Sequence, residues 1–251
     1  GGISLQSGES AYRYDEGLVA LSRLYTRNPQ SGLIIGLGPG VMATALQKAG
    51  MTVETVEIDP AIVQVARDYF AFDSHAAVAD GRRYLQRTEM TWDIIFVDAF
   101  AGGSPPWQLY TSEAFELYAG HLNPGGVVVL NFIGSHLDPA QLPALQAVAS
   151  SARQVFPVVD VYPDPWEPDD YPTRNIFIAA SNKARQVPVQ AGDPGNAGTF
   201  AEAFAYSGPI RLDRGRVLTD DSAPLESLVR STTHILRNRV REYLPVDVLL
   251  Y

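Results

Sequence analysis

The chain has 251 residues, 46% hydrophobic and 19% charged, enough apolar material for the core of one α/β domain with appendages. A net charge of −9, from 19 Lys plus Arg against 28 Asp plus Glu, argues against nucleic acid as a partner and would suit a cationic substrate. The absence of cysteine removes disulfides, thiolate metal sites and a thiol nucleophile together, and no apolar run approaches the roughly 20 residues that span a bilayer.

Apolar runs alternate with helical patterns over residues 31–180. Leu33-Ile34-Ile35 reads as a buried strand that ends in the loop Gly36-Leu37-Gly38-Pro39-Gly40. A helix over Val41 to Lys48 follows, closed by Gly50. Thr52 to Ile58 is a second strand, and Asp59-Pro60 supplies an N-cap and a first-turn proline for a helix to Phe70. Ala76 to Ala79 and Trp92 to Val97 are the third and fourth strands, the fourth nearly all apolar as a central parallel strand requires. Thr111 caps a helix to about Leu122, Asn123-Pro124-Gly125-Gly126 is a turn, and Val127 to Phe132 is the fifth strand. Asp138-Pro139 opens a helix to about Val155. Val158 to Tyr162 and Asn175 to Ala180 are two last strands, joined by a loop rich in Pro and acids, so they pair antiparallel. Residues 183–198 are rich in Gly and Pro and read as a surface excursion. Leu225 to Tyr243 reads as one basic amphipathic helix with Arg230, Arg237, Arg239 and Arg241 on a solvated face.

The pattern predicts a Rossmann-like α/β fold of the S-adenosylmethionine-dependent methyltransferase type. Its sheet is seven-stranded and mostly parallel, with an antiparallel last strand and a helical C-terminal tail, and the family resemblance given below implies a short N-terminal β segment before it. The expected divisions are residues 1–30 for the β segment and lead-in helix, 31–182 for the nucleoside-binding catalytic domain, and 183–251 for the extension.

The chemistry is concentrated at the ends of strands. Glycines 36, 38 and 40 let the backbone approach a ligand, and the helix start behind them offers free N–H groups. Glu57 ends the next strand, where a carboxylate can accept from both ribose hydroxyls. The dinucleotide fingerprint would need Gly at 41, where Val41 stands, so the loop is of the G-x-G-x-G kind. Asp80-Gly81 follows the third strand, placed to accept from an adenine amine, to cap a helix, or both. Asp98 ends the fourth strand as a catalytic acid or a loop cap, and the long irregular loop after it favours catalysis. His75, His121, His136 and His234 show no metal-ligand spacing, and no Ser lies in a G-x-S-x-G elbow.

With these motifs in order, the chain resembles the spermidine synthase family of polyamine aminopropyltransferases, most of all the branch fused behind membrane helices. The resemblance covers residues 2 to about 182 and, more loosely, Leu218 through Glu226. The family's Gln, eight residues before the Tyr of its Y-x-E pattern, is matched by Gln6 and Tyr14-Asp15-Glu16. Its glycine loop is matched by Gly36 to Gly40, its ribose acid by Glu57, its adenine acid by Asp80-Gly81, and its Y-P segment by Tyr171-Pro172. Asp98 matches the first position of its D-x-x-D motif, whose second position is Ala101 here. Two further positions depart: Pro39 stands where the family's glycine loop has an acid, and Ser10-Ala11 where it has a D-E pair.

The resemblance implies a transferase that moves an aminopropyl group from decarboxylated S-adenosylmethionine to an amine such as putrescine, releasing methylthioadenosine. It implies Asp98 and Tyr14 as catalytic residues, and Gln6, Gly36, Gly38, Gly40, Glu57, Asp80 and Gly81 around the nucleoside. Asp169, Asp170 and Tyr171 would face the amine, with no metal and no nucleic acid involved. A homodimer in the cytoplasm, tethered to the membrane through a missing N-terminal region, is the matching expectation. The alternatives are a transferase or lyase that uses S-adenosylmethionine itself, or a non-catalytic module that binds adenosyl nucleosides.

Overall fold

A computed structural model describes residues 13–100, 104–167, 171–188, 190 and 198–243. The chain opens with helix α1 (Arg13–Arg23) and alternates through β1 (Ser31–Ile35), α2 (Val41–Lys48), β2 (Thr52–Glu57), α3 (Pro60–Phe70), β3 (Ala77–Val78), α4 (Gly81–Arg87) and β4 (Trp92–Val97). A short 3-10 turn (Trp107–Leu109) then leads to α5 (Ser112–Gly120), β5 (Leu122–Gly134), α6 (Leu142–Ala152), β6 (Val158–Pro163) and β7 (Arg174–Ser181). Helices α7 (Phe200–Ser207), α8 (Leu225–Leu228) and α9 (Arg230–Tyr243) complete the described chain.

The strands form one sheet in the order β3-β2-β1-β4-β5-β7-β6. Strands β3, β2, β1, β4 and β5 pair in parallel, and β7 runs antiparallel to both β5 and β6. The expected seven-stranded sheet is therefore present, with β7 as its antiparallel strand. The strand order reverses at β1, between β2 and β4, with Ile35 level with Val97. A crevice opens outside the carboxyl ends of strands at such a reversal. Gly36 leaves β1 and Asp98 leaves β4 at that point.

Alternate side chains point to opposite faces of a strand, and both faces are covered. Leu33, Ile35, Ile95, Val97, Val128, Leu130, Ile176 and Ile178 pack under α5, α6 and α8, with Phe115, Leu145, Val148 and Leu225. Ile34, Ile94, Phe96, Val127, Val129 and Phe177 pack under α1, α2 and α7, with Leu18, Leu21, Met42, Phe200 and Phe204. Gly17 lets α1 close on the sheet: a Cβ there would lie 2.8 Å from Phe177 Cζ. Asp15, in the first turn of α1, is buried.

The boundaries differ most from the sequence reading in three places. Strand β5 begins at Leu122, so Asn123-Pro124-Gly125-Gly126 lies within it. Its pairing with β4 skips from Trp92↔Leu122 to Ile94↔Val127, so the expected turn is absorbed as a bulge. Helix α6 begins at Leu142, because Asp138 instead accepts from Ala140 N and Gln141 Nε2 and closes a local turn. The long C-terminal helix is two helices meeting at Val229, which is fully buried with Leu225 and pins the bend to the core. The expected N-terminal β segment, residues 2–14, lies outside the described residues except for Arg13 and Tyr14, which open helix α1.

The tail is fixed by polar contacts. Asp220 accepts from both terminal nitrogens of Arg82 on α4, 2.6 Å to Nη1, and from Thr111 Oγ1 at 2.8 Å. Thr111 is also the N-cap of α5, accepting from Ala114 N at 3.2 Å.

Candidate functional site

The glycine loop leaves β1 with φ values of 100°, 51° and 78° at Gly36, Gly38 and Gly40. This is left-handed backbone, which L side chains rarely adopt. At Gly36 the need is steric as well, since a Cβ would stand 2.3 Å from the carbonyl oxygen of Asp98. The loops after β1 and β4 thus touch backbone to backbone. Above Gly38 there is open space, with no heavy atom within 4 Å of a notional Cβ. Gly40 is the N-cap of α2 and gives no side-chain cap, so the first N–H groups of that helix lack intrahelical partners at the end of the loop.

Glu57 is held beneath the loop. Its Oε2 accepts from Leu37 N at 2.9 Å and its Oε1 from Asp59 N at 3.0 Å. Each carboxylate oxygen carries a second lone pair, so the group can also accept from a pair of vicinal hydroxyls. Ile58 beside it is 66% exposed, an apolar face at the mouth of the crevice. Asp80 caps α4 by accepting from Arg83 N at 2.9 Å, so the capping role read from sequence is present. Gly81 lets α4 pack on β1: a Cβ there would meet Ile35 Cγ2 at 2.4 Å.

On the other side of the loop lies a group of acids and amides. Asp98 Oδ1 accepts from Asn131 Nδ2 at 3.1 Å. The same nitrogen donates to Asn175 Oδ1 at 3.1 Å. Asn175 in turn gives two hydrogen bonds to Glu167, from its backbone N at 2.8 Å and from Nδ2 at 3.2 Å. Burial, with the charge of Asp164, raises the Glu167 carboxyl to about 6 against the hydrogen bonds from Asn175 and the charge of Arg174. Asp15 is buried on α1, and burial, then the charges of Asp98 and Glu16, raise its carboxyl well above the ordinary value. A buried carboxyl facing a second one stays protonated longer, and a cation placed beside it would favour its ionised form.

The structure brings together the expected Gly36, Gly38, Gly40, Glu57 and Asp98 around the crevice, with Asp80 and Gly81 at the next strand end. Tyr171 is 44% exposed on the loop ahead of β7. Gln6, Asp169, Asp170 and Ala101 lie outside the described residues, as does the side chain of Tyr14. Sequence reasoning missed Asp15, Ile58, Asn131, Glu167 and Asn175. Asn131 carried a readable signal, as the one polar residue in the apolar run Val127 to Phe132. A buried amide in a central strand requires partners. Among the described residues, no group of three or more His, Cys, Asp or Glu could hold a metal ion, and no helix is long and apolar enough to cross a membrane.

A sequence profile of the spermine/spermidine synthase domain matches residues 11–188. The chain belongs to the spermine/spermidine synthase family. Within and beyond that family, a "Probable polyamine aminopropyl transferase" of Bifidobacterium longum (strain NCC 2705) is 36% identical over 153 residues, 59% of this chain and 33% of the relative. An N-terminal histidine N-methyltransferase of Emericella nidulans is 29% identical over 174 residues, 65% of this chain and 30% of the relative. The chain therefore spans about a third of the length of these curated relatives. The crystal structure of a "probable spermidine synthase" from Corynebacterium glutamicum ATCC 13032 superposes with a TM-score of 0.62 at 21% identity, covering 82% of each chain. That likeness is one of fold. The spermine/spermidine synthase match covers α1 and all seven strands, so both halves of the crevice belong to the family domain.

Proposed function

We propose that this chain transfers an aminopropyl group from decarboxylated S-adenosylmethionine to an amine, releasing methylthioadenosine. One observation carries the reading: a cradle built on Gly36–Gly40 and Glu57, open above Gly38, lies beside the acids Asp15, Asp98 and Glu167. A neutral adenosyl group suits the first half, and a cationic amine suits the second. The name of the Bifidobacterium relative supports the same reaction.

In this reading Glu57 accepts from the two ribose hydroxyls, and Gln6 and the loop glycines hold the nucleoside around them. Asp80 and Gly81 receive the adenine amine, with Ile58 against the ring face. Asp98 and Tyr14 act on the acceptor amine, and Asp169, Asp170 and Tyr171 hold its far end. The amine must be neutral to react. Its lone pair forms a bond to the aminopropyl carbon attached to the sulfonium, and the C–S bond breaks with its electron pair going to sulfur. The positive charge passes to nitrogen, which then loses a proton to Asp98. No metal is needed for any step.

Calorimetric titration tests the pairing of the two halves. Methylthioadenosine and decarboxylated S-adenosylmethionine should bind, and S-adenosylmethionine should bind at least tenfold more weakly, because its carboxylate would face Asp98, Asp15 and Glu167. Tighter binding of S-adenosylmethionine would contradict the proposal and favour a transferase that uses it directly.

A further inference from the structure

We infer that Glu167 is a positioning residue for Asp98, acting through Asn175 and Asn131; the inference rests on the reaction proposed above. The four side chains form an unbroken line: Glu167 accepts from Asn175, Asn175 accepts from Asn131, and Asn131 donates to Asp98. Their placement follows from the sheet. Strand β5 pairs Asn131 with Phe177 and Ile133 with Asn175, so Asn131 and Asn175 are diagonal neighbours on one face of an antiparallel pair.

The direction of the line is forced from both ends. An ionised carboxylate can only accept, so Asn175 must turn its amide nitrogen to Glu167. Its oxygen then faces Asn131, which must answer with nitrogen. Asp98 demands nitrogen from Asn131 as well. One amide group therefore serves two acceptors, and its own Oδ1, buried in the sheet, has no hydrogen-bond partner among the described residues. That arrangement is unfavourable for stability, since a buried acceptor without a partner keeps its full desolvation penalty. An apolar residue of similar size would avoid it. The amide earns its place by fixing which way the Asp98 carboxylate is rotated.

Glutamine at 167 would break the line without changing its shape. Its amide nitrogen would oppose the nitrogen of Asn175, which would have to flip and then oppose the nitrogen of Asn131. The test is a double-mutant cycle in aminopropyl transfer with Glu167→Gln, Asn131→Leu and the pair. Each single change should lower kcat about tenfold or more while leaving KM for the nucleoside within about threefold, and the pair should be no slower than the slower single variant. Effects that multiply would show that Glu167 acts independently of Asn131 and would overturn the inference. A second readout does not need turnover. In the 15N-labelled chain, the side-chain amide resonances of Asn131 should shift in both Glu167→Gln and Asp98→Asn. If they do not move in Glu167→Gln, the line does not exist. A wild-type chain that makes no product, with resonances that do shift, would overturn the proposed reaction and leave the positioning intact.

Discussion

Glu57 and Asp98 divide the work at the residue scale. Glu57 is held by two backbone N–H groups and has lone pairs left for two hydroxyls. Glu57→Ala should weaken methylthioadenosine binding by about 2–4 kcal/mol, because two buried hydroxyls lose a charged acceptor. Unchanged affinity by calorimetry would remove Glu57 from the ribose. Asp98→Asn retains the shape but not the charge, so it should lower kcat by about a hundredfold or more and nucleoside affinity by less than about threefold. Equal losses in both would argue against a proton-accepting role. The nucleoside half of this site was legible in the sequence because it is local: strand, glycine loop, helix and acid lie within residues 31–57. The acid–amide line was not. Asn131 reaches Asn175 across 44 residues, and only the β5–β7 register brings them together.

At the element scale, alternation of buried strands and capped helices made most boundaries readable. Asp59 caps α3, Thr111 caps α5, and the run Trp92–Val97 is strand β4 as its apolar composition required. Helix α7 was not anticipated, lying behind a stretch rich in Gly and Pro. Its cap, Thr199 accepting from Glu202 N, is present in the sequence as T-x-x-E, and Phe200 and Phe204 pack it against Phe177. The bend at Val229 depends on burial in a core that periodicity does not reveal. The strap around Asp220 is the element most open to test. Asp220→Ala would remove three acceptor bonds to Arg82 and Thr111, so it should destabilise the fold by about 1–2 kcal/mol, a range discounted for the partial exposure of Asp220. The loss is read as a lower urea midpoint with the slope unchanged. An unchanged midpoint would mean that the apolar contacts of Leu218 and Leu225 hold the tail unaided.

For the whole molecule, the site's electrostatics set a pH dependence whose sign follows from proton binding. Glu167 has its carboxyl raised from 4.5 to about 6 in the fold. Between those values the folded chain binds more protons than the unfolded one, so stability falls as pH rises through the window and is fully present below it. Asp15 acts in the same sense. Asp93, Asp138 and Asp220, all lowered in the fold, act in the opposite sense and lose their contribution only as pH falls below the ordinary Asp value. The melting temperature of the wild type should therefore decline from pH 4.5 to about 6.5 more than that of Glu167→Gln, which lacks the titrating group. Parallel curves would show that Glu167 is not perturbed. The acidic net charge of −9 was visible in the composition, but which acids lie inside the crevice depends on how α1 and the loop before β7 close over the sheet.

The central claim is that the cradle and the acids belong to one reaction. Its most direct test is mass spectrometry of the chain incubated with decarboxylated S-adenosylmethionine and a panel of amines. The account predicts methylthioadenosine and a new amine heavier by one aminopropyl group, in equal amounts, with both lost in Asp98→Asn. An intact nucleoside after incubation with every amine would contradict it.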